Sequence, residues 1–336
     1  MMRIVSWRWM GWALSPIVPL VALSGGSCVF FSYEDVVASA GGAGGTGATS
    51  GGAGGTAEPC GQGGGGCGGA PPEGCDGPGS HISTCLVDDG LLARYFLDAL
   101  GTDGKLVDSG PEPGLSLDVV SDGERLNLEG EAGRVGIRWM NLGGNARVEA
   151  AFPSTATPPS KLLVSKAALT LETVVSVTAA AVEGVPSRIL YLGTDTGEFG
   201  KYSLSVGDPD GMGNRELLFH IYANSQTLFV GQWFIPLEEL ERPCVLHLVL
   251  NAAEGVVDLY VNGDVRTNAI PDRPPADFAF TWAEPTWYFV LGNSRKAGRS
   301  FRGSIQYAAL YGKPLTPEQV KGNAATLAKS DDGPGM

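Results

Sequence analysis

From Ala146 to Gly263 apolar and polar residues fall into short runs separated by turn residues. ARVEAAF (Ala146 to Phe152), ALTLETVVSVT (Ala168 to Thr178), RILYLG, KYSLSVG, RELLFHIY, TLFVGQWF, CVLHLVLN and VVDLYVNG follow one another. Each is a β-former segment, and many alternate with the period of two expected of half-buried antiparallel strands. In VVDLYVNG that period predicts Val257, Leu259 and Val261 facing a core, with Asp258, Tyr260 and Asn262 facing away. Asn262-Gly263, set between two alternating runs, predicts a type I′ hairpin. Short strands at regular spacing with almost no helix predict a sandwich or barrel, and about 240 residues can form one such domain.

The end of the pattern differs. In FRGSIQYAALYGKPLTPEQV (Phe301 to Val320), Ser304 to Leu310 reads as a strand opened by Gly303 and stopped by Gly312 and Pro314. Thr316 then stands at an N-cap, Pro317 at the first helical position and Gln319 three residues after the cap. This is the pattern of a capping box, and it predicts one short helix after the last strand.

The first 85 residues carry no such periodicity. Residues 1–28 combine two arginines, an apolar run from Met10 to Leu23 and the small-residue sequence LSGGSC ending at Cys28. This is the layout of a bacterial export signal. Small residues just before a cysteine further mark Cys28 as the expected lipid attachment point, the alternative being an ordinary secretory signal cut nearby. Residues 29–85 are expected to be a tether. Their Gly/Ala/Thr composition buries too little apolar surface to offset backbone entropy, and about 40 such residues span roughly 35 Å. Cys60, Cys67, Cys75 and Cys85 lie at its end, without C-x-x-C spacing. In an exported chain they are disulfide candidates, and three pairings are open. Cys244, alone at the start of a strand run, reads as a small buried hydrophobe. The domain is expected over 86–328, with 329–336 a tail.

Composition narrows the function classes. The 336 residues are 43% hydrophobic, enough for a large core, and carry a formal charge of −13. No basic stripe is present to neutralise phosphates, so nucleic acid is excluded as a partner. Only three histidines occur, His81, His220 and His247, and they are scattered. A zinc centre or His-based acid–base site has little material here.

Four segments in order resemble the LamG-like, concanavalin A-like jelly rolls. LLARYFLDALGTDGKLVDSG (Leu91 to Gly110) resembles the opening strand, acidic turn and D-S-G loop of that family. LTLETVVSV resembles its first long inner strand, VLHLVLNAAEGVVDLYVNGDV its central hairpin, and WYFVLGNSRKAGRSFRGSIQYAALYGKPLTPEQV its closing signature. The resemblance implies an all-β jelly-roll β-sandwich of two antiparallel sheets, with the last strand beside the first and a short C-terminal helix outside. It also implies binding of glycan or an extracellular protein partner, in many relatives with calcium. Where relatives read I-D after the closing glycine, this chain has Ile305-Gln306, a poorer calcium ligand set. Asp98 and Asp108 stand at family-like acidic positions that also suit turn and loop capping.

Three pieces of candidate chemistry remain. GDPDGMGN (Gly207 to Asn214) opens like a short calcium loop, making Asp208, Asp210 and Asn214 candidate metal ligands, against the plainer reading of a polar hairpin connection. Trp282 and Trp287 flank AEPT and Trp233 ends a strand run. Exposed indoles stack on sugar rings, so these three are candidate ligand-binding residues, although Trp in a sandwich is commonly core. No E-x-D-x-(x)-E strand occurs to put paired carboxylates on one face, and no G-x-S-x-G. EELE (Glu238 to Glu241) reads as a solvated turn, and His220 and His247 sit in strand patterns. The expectation is an exported, lipid-anchored cell-envelope protein displaying a non-catalytic binding module, touching membrane only through its anchor. The alternatives are a purely structural or adhesive surface protein and a glycoside-active enzyme of the same fold.

Overall fold

The computed structural model describes residues 82–331 except 102, 111–114, 121–125, 132–133, 140–143, 154–167, 179–185, 194–201, 224–226, 271–285 and 296–297. In chain order the strands are β1 (Leu91–Phe96), β2 (Lys105–Leu106), β3 (Leu117–Val120), β4 (Asn127–Glu129), β5 (Gly136–Trp139) and β6 (Arg147–Pro153). β7 (Ala168–Val177), β8 (Ser187–Gly193), β9 (Tyr202–Pro209), β10 (Asn214–Ala223) and β11 (Thr227–Pro236) follow. After the single turn α1 (Leu237–Leu240) come β12 (Cys244–Asn251), β13 (Val256–Val261), β14 (Asp264–Arg266), β15 (Thr286–Leu291) and β16 (Gly303–Tyr311). The helix α2 (Pro317–Leu327) closes the series.

These strands form two antiparallel sheets, as the alternating pattern and the family resemblance imply. The first runs β14-β13-β12-β7-β16-β5-β4, with β1 also paired to β16; the second runs β11-β10-β9-β8-β15-β6-β3-β2. The last strand therefore lies beside the first, Phe96 opposite Tyr307 and Leu91 opposite Tyr311. Gly303 lets β16 enter this crowded position. Its φ is +146°, and a Cβ there would lie 1.9 Å from the Ser176 carbonyl oxygen of β7. The free edge of β11 is met by the segment after β14: Gln232 N donates to Asn268 Oδ1 at 3.0 Å and Ala269 N to the Gln232 carbonyl.

The interior follows the period of two. Val257, Leu259 and Val261 enter one core cluster with Leu246 and Leu248 of β12 and with Phe219, Phe289 and Trp233 of the second sheet. Asn262 (φ +53°) and Gly263 (φ +87°) make the expected I′ turn, which Asn262 Oδ1 braces by accepting from Val245 N at 2.9 Å. Tyr260 points outward as expected yet is buried, because a second apolar cluster covers that face of the first sheet.

That cover is the C-terminal helix. Thr316 and Gln319 form the capping box and Pro317 opens the helix. Val320, Ala324 and Leu327 then pack on Val174, Val245, Val249, Tyr260 and Tyr311. A 3-10 turn, Ile82–Cys85, joins the same cluster, so packing begins ahead of the residue-86 boundary expected from the strand pattern. The cause is Arg94 on β1, whose guanidinium donates to the carbonyls of Ser83 (3.3 Å) and Val87 (2.9 Å) and pairs with Asp88 (2.9 Å). Past α2, Arg134 holds the chain by donating to the carbonyls of Leu327 and Ala328 and to Asp331. No helix among the described residues is long and apolar enough to cross a membrane.

Candidate functional site

The two sheets differ on their outward faces. On the first, outward residues lie under α2 and the 3-10 turn. On the second, alternation that sends Tyr202, Leu204, Leu217, Phe219, Trp233, Trp287 and Phe289 inward sends a polar and aromatic set outward. Arg188 stands at its centre, donating from Nη1 to Ser203 Oγ at 2.9 Å and to Ser205 Oγ. His220 lies opposite Ser203 on the neighbouring strand. Burial, with repulsion from Arg188 and Arg299, lowers the His220 pKa to about 3, so its ring is neutral at physiological pH. Gln232 of β11 donates to Glu216 of β10. Toward the other edge, the Arg295 guanidinium sits 4.3 Å from the Tyr288 ring centroid, a cation–π distance. Arg147 grips Glu149 through two nitrogens at 2.7 and 3.3 Å, and Arg295 approaches the same carboxylate at 3.4 Å. Phe234, 45% exposed, projects from edge strand β11 two residues from Gln232 on the same face.

The loop after β15 frames one end of the face. Asn293 is fully buried and works entirely on backbone: its Nδ2 donates to the carbonyls of Gly144 (2.9 Å) and Ala146 (3.3 Å). Its Oδ1 accepts from Ser294 N (2.8 Å) and Arg299 N (3.0 Å). The preceding Gly292 lies against Trp139 at φ +76°. L-G-N is thus a local device that fixes where Arg295 and Arg299 begin.

The sequence-predicted site residues fall elsewhere. Trp233 and Trp287 are fully buried in the core cluster, which corrects the expectation that they offer stacking faces. Trp287 shares the parity of Phe289 and Leu291, and Trp233 that of Ile235. Their outward neighbours Tyr288 and Phe234 are the aromatics that the period of two could have picked out. Trp282, Cys28, Cys60, Cys67 and Cys75 lie outside the described residues. Cys85 is buried and is not a free thiol. Cys244 is a free, fully buried thiol, pushed up to about 12 by burial and by Glu239, with Arg266 opposing.

The GDPDGMGN loop, which carries the metal-ligand candidates Asp208, Asp210 and Asn214, is built as a hairpin connection, the plainer of its two readings. Asp210 Oδ1 accepts from Met212 N (2.7 Å) and Asn214 N (3.1 Å), while its Oδ2 accepts from Asn214 Nδ2 (2.7 Å). The bond from Asn214, together with those backbone donors, holds the Asp210 carboxyl below its usual range. Asn214 turns its amide N–H inward as a donor, the opposite of what a cation requires. No group of three His, Cys, Asp or Glu side chains converges among the described residues. Asp108 likewise caps backbone, its Oδ1 accepting from Arg94 N (3.0 Å) and Gly110 N (2.9 Å), and Asp98 is buried.

The described residues hold one further polar constellation, on the covered face of the first sheet. Glu172 of β7 is fully buried and accepts from four side chains. His247 Nε2 (2.7 Å) and Asn323 Nδ2 (2.6 Å) bond to Oε2, and the hydroxyls of Tyr307 (2.8 Å) and Tyr311 (3.2 Å) to Oε1. Sequence reading missed it, since its members are spread from β7 to α2 and a Glu within a strand pattern reads as solvent-facing.

No family model and no curated protein matches the chain. Similarity to solved structures is clear at the level of fold. The binding domain of botulinum neurotoxin DC, solved in complex with SialylT, superposes with a TM-score of 0.52 at 9% identity, covering 71% of this chain and 52% of that one. The same domain in complex with rat synaptotagmin II gives 0.51 at 9% identity, covering 72% and 52%. A botulinum neurotoxin type C structure described as depending on two ganglioside molecules for cell entry gives the same values. The chain therefore spans about half the length of each, and the shared feature is the jelly-roll β-sandwich.

Proposed function

We propose that this chain is an exported cell-envelope protein, lipid-anchored through Cys28, that displays a LamG-like sandwich. It binds glycan or an extracellular protein without catalysis, through the outer face of the second sheet. The observation that carries the reading is the asymmetry of the two outer faces. One is filled by the apolar contacts of α2 and the 3-10 turn, whereas the other carries a polar and aromatic set in which Arg188, Ser203 and Ser205 are buried at the centre and Gln232, Arg295, Tyr288 and Phe234 are partly or largely exposed. Hydroxyls, amides, guanidinium groups and aromatic rings on a rigid sheet are the groups that recognise sugar hydroxyls and apolar sugar faces. The export signal and glycine tether suit presentation of such a face at a distance from an anchor. Cys85 paired with Cys60, Cys67 or Cys75 would brace the tether where it meets the domain. The similar neurotoxin chains are receptor-binding proteins, solved with a sialylated sugar or with synaptotagmin, and their use of this fold agrees with a binding role.

A glycan array probed with the purified full chain tests the reading. The doubly substituted Phe234→Ala, Tyr288→Ala protein should lose at least about tenfold in affinity for the sugars the wild type binds. Lys321→Ala, on the exposed side of α2, should retain it. Sugar hydrolysis by the wild type, or equal loss in both variants, would overturn the proposal.

A further inference from the structure

Asn323, Tyr307 and Arg94 tie α2 and the 82–90 segment to the first sheet through side-chain polar contacts that lead back to Glu172, while Arg134 on Leu327, Ala328 and Asp331 and Lys313 on Asp89 hold the outer ends of the two segments separately. Asn323 of α2 donates from Nδ2 to Glu172 and accepts at Oδ1 from Val87 N at 3.0 Å, so one amide joins helix, carboxylate and N-terminal segment. Tyr307 donates to Glu172 and accepts from Arg94 Nε at 3.2 Å, and Arg94 holds Ser83, Val87 and Asp88. The ladders joining β7 to β12 and β16 use only backbone, and the inner core lies on the opposite face of the sheet.

The charged and titratable groups facing Glu172 can be named by element. They are His247 from β12, Tyr307 and Tyr311 from β16 and, through Tyr307, Arg94 from β1 with Asp88 beyond it. α2 contributes the neutral Asn323. An ionised carboxylate suits this ring of donors. A protonated one carries an O–H that must point at one of them, and a donor facing a donor loses its bond.

We infer that α2 and the 82–90 segment form one latch, keyed by the Glu172 carboxylate and released together by acid while the sandwich stays folded. Burial alone would raise the Glu172 pKa, but attraction to His247 and the bonds from His247, Asn323 and Tyr307 prevail and hold it below the ordinary value of 4.5. The latch is therefore closed above that value and opens as pH falls through the lower folded value. Opening uncovers the apolar back of the first sheet, including Val245, Val249 and Tyr260.

Hydrogen exchange on the full chain from neutral pH into acid, as far as the sheets stay protected and corrected for intrinsic rates, tests this. Amides of 320–328 and of 83–91 should lose protection together by about tenfold or more, the effect of one lost charged hydrogen bond. Those of β7, β12 and β16 should keep theirs. Glu172→Gln should abolish the acid step. Asn323→Asp should invert it, because two facing carboxylates repel at neutral pH and share a proton in acid. Release of the two segments at different pH, loss of sheet protection in the same step, or an acid step surviving in Glu172→Gln would each overturn the latch. If the Gln variant does not fold, the Asn323→Asp profile decides alone: an inverted step supports the latch and a wild-type-like step refutes it.

Discussion

Gly292→Ala is expected to be among the most damaging single-methyl additions in the domain, and its cost can be worked out in parts. Gly292 has φ +76°, where an L side chain costs about 1–2 kcal/mol. A Cβ there would also lie 2.1 Å from Trp139 Cε2 and 2.4 Å from its Nε1. The indole cannot easily retreat. It packs edge-on against Phe301 at 6.3 Å and donates from Nε1 to the Ala146 carbonyl at 3.2 Å. Overpacking adds about 1–3 kcal/mol, and the strained or broken indole bond about 1 kcal/mol. The sum, about 3–6 kcal/mol, is a large share of ordinary domain stability. Gly211→Ala supplies the control, because Gly211 has the same φ of +76° and nothing within 4 Å of its Cβ position. It should cost only the backbone strain. Equilibrium urea unfolding of both proteins, followed by tryptophan fluorescence, should separate them by about 2–4 kcal/mol. Equal destabilisation would refute the steric argument and with it the role assigned to L-G-N.

Other outcomes follow from the same structure. Leu259→Ala should cost about 2–5 kcal/mol in urea unfolding as a core truncation, whereas Val265→Ala, at a side chain 58% exposed, should be close to neutral. Millimolar calcium should leave the melting temperature unchanged because Asp210 is occupied as a turn cap; a rise that disappears in Asp208→Asn, Asp210→Asn would restore a calcium loop. Alkylation of the native, unreduced chain should spare Cys244, and denaturant should expose it, read by mass spectrometry. Ready labelling of the native thiol would contradict its burial.

What could be read from the chain alone was whatever local chemistry determines. Asn262-Gly263 fixes a turn by its own backbone preferences, Thr316 to Gln319 cap a helix within one turn, and Gly303 permits a close strand approach. The alternation around Leu259 sets a parity that tertiary packing preserves. The candidate site was less legible because it depends on which outward residues the assembled sandwich leaves exposed. Trp233 and Trp287 were singled out by residue type, yet parity with Ile235 and Phe289 sends both inward and gives the outer face to Phe234 and Tyr288. Glu172, His247, Tyr307 and Asn323 meet only after β7, β12, β16 and α2 assemble. No local pattern says that the outward side of that sheet will be covered, so nothing in LTLETVVSV marks its glutamate as buried.

The central claim is that the second sheet's outer face is the binding surface. Its most direct test is hydrogen exchange of the full chain with and without a saturating glycan identified on the array. Binding at that face predicts new protection in β8, β9, β10, β11 and β15, with α2 unchanged. Protection confined to α2 and the first sheet would contradict it.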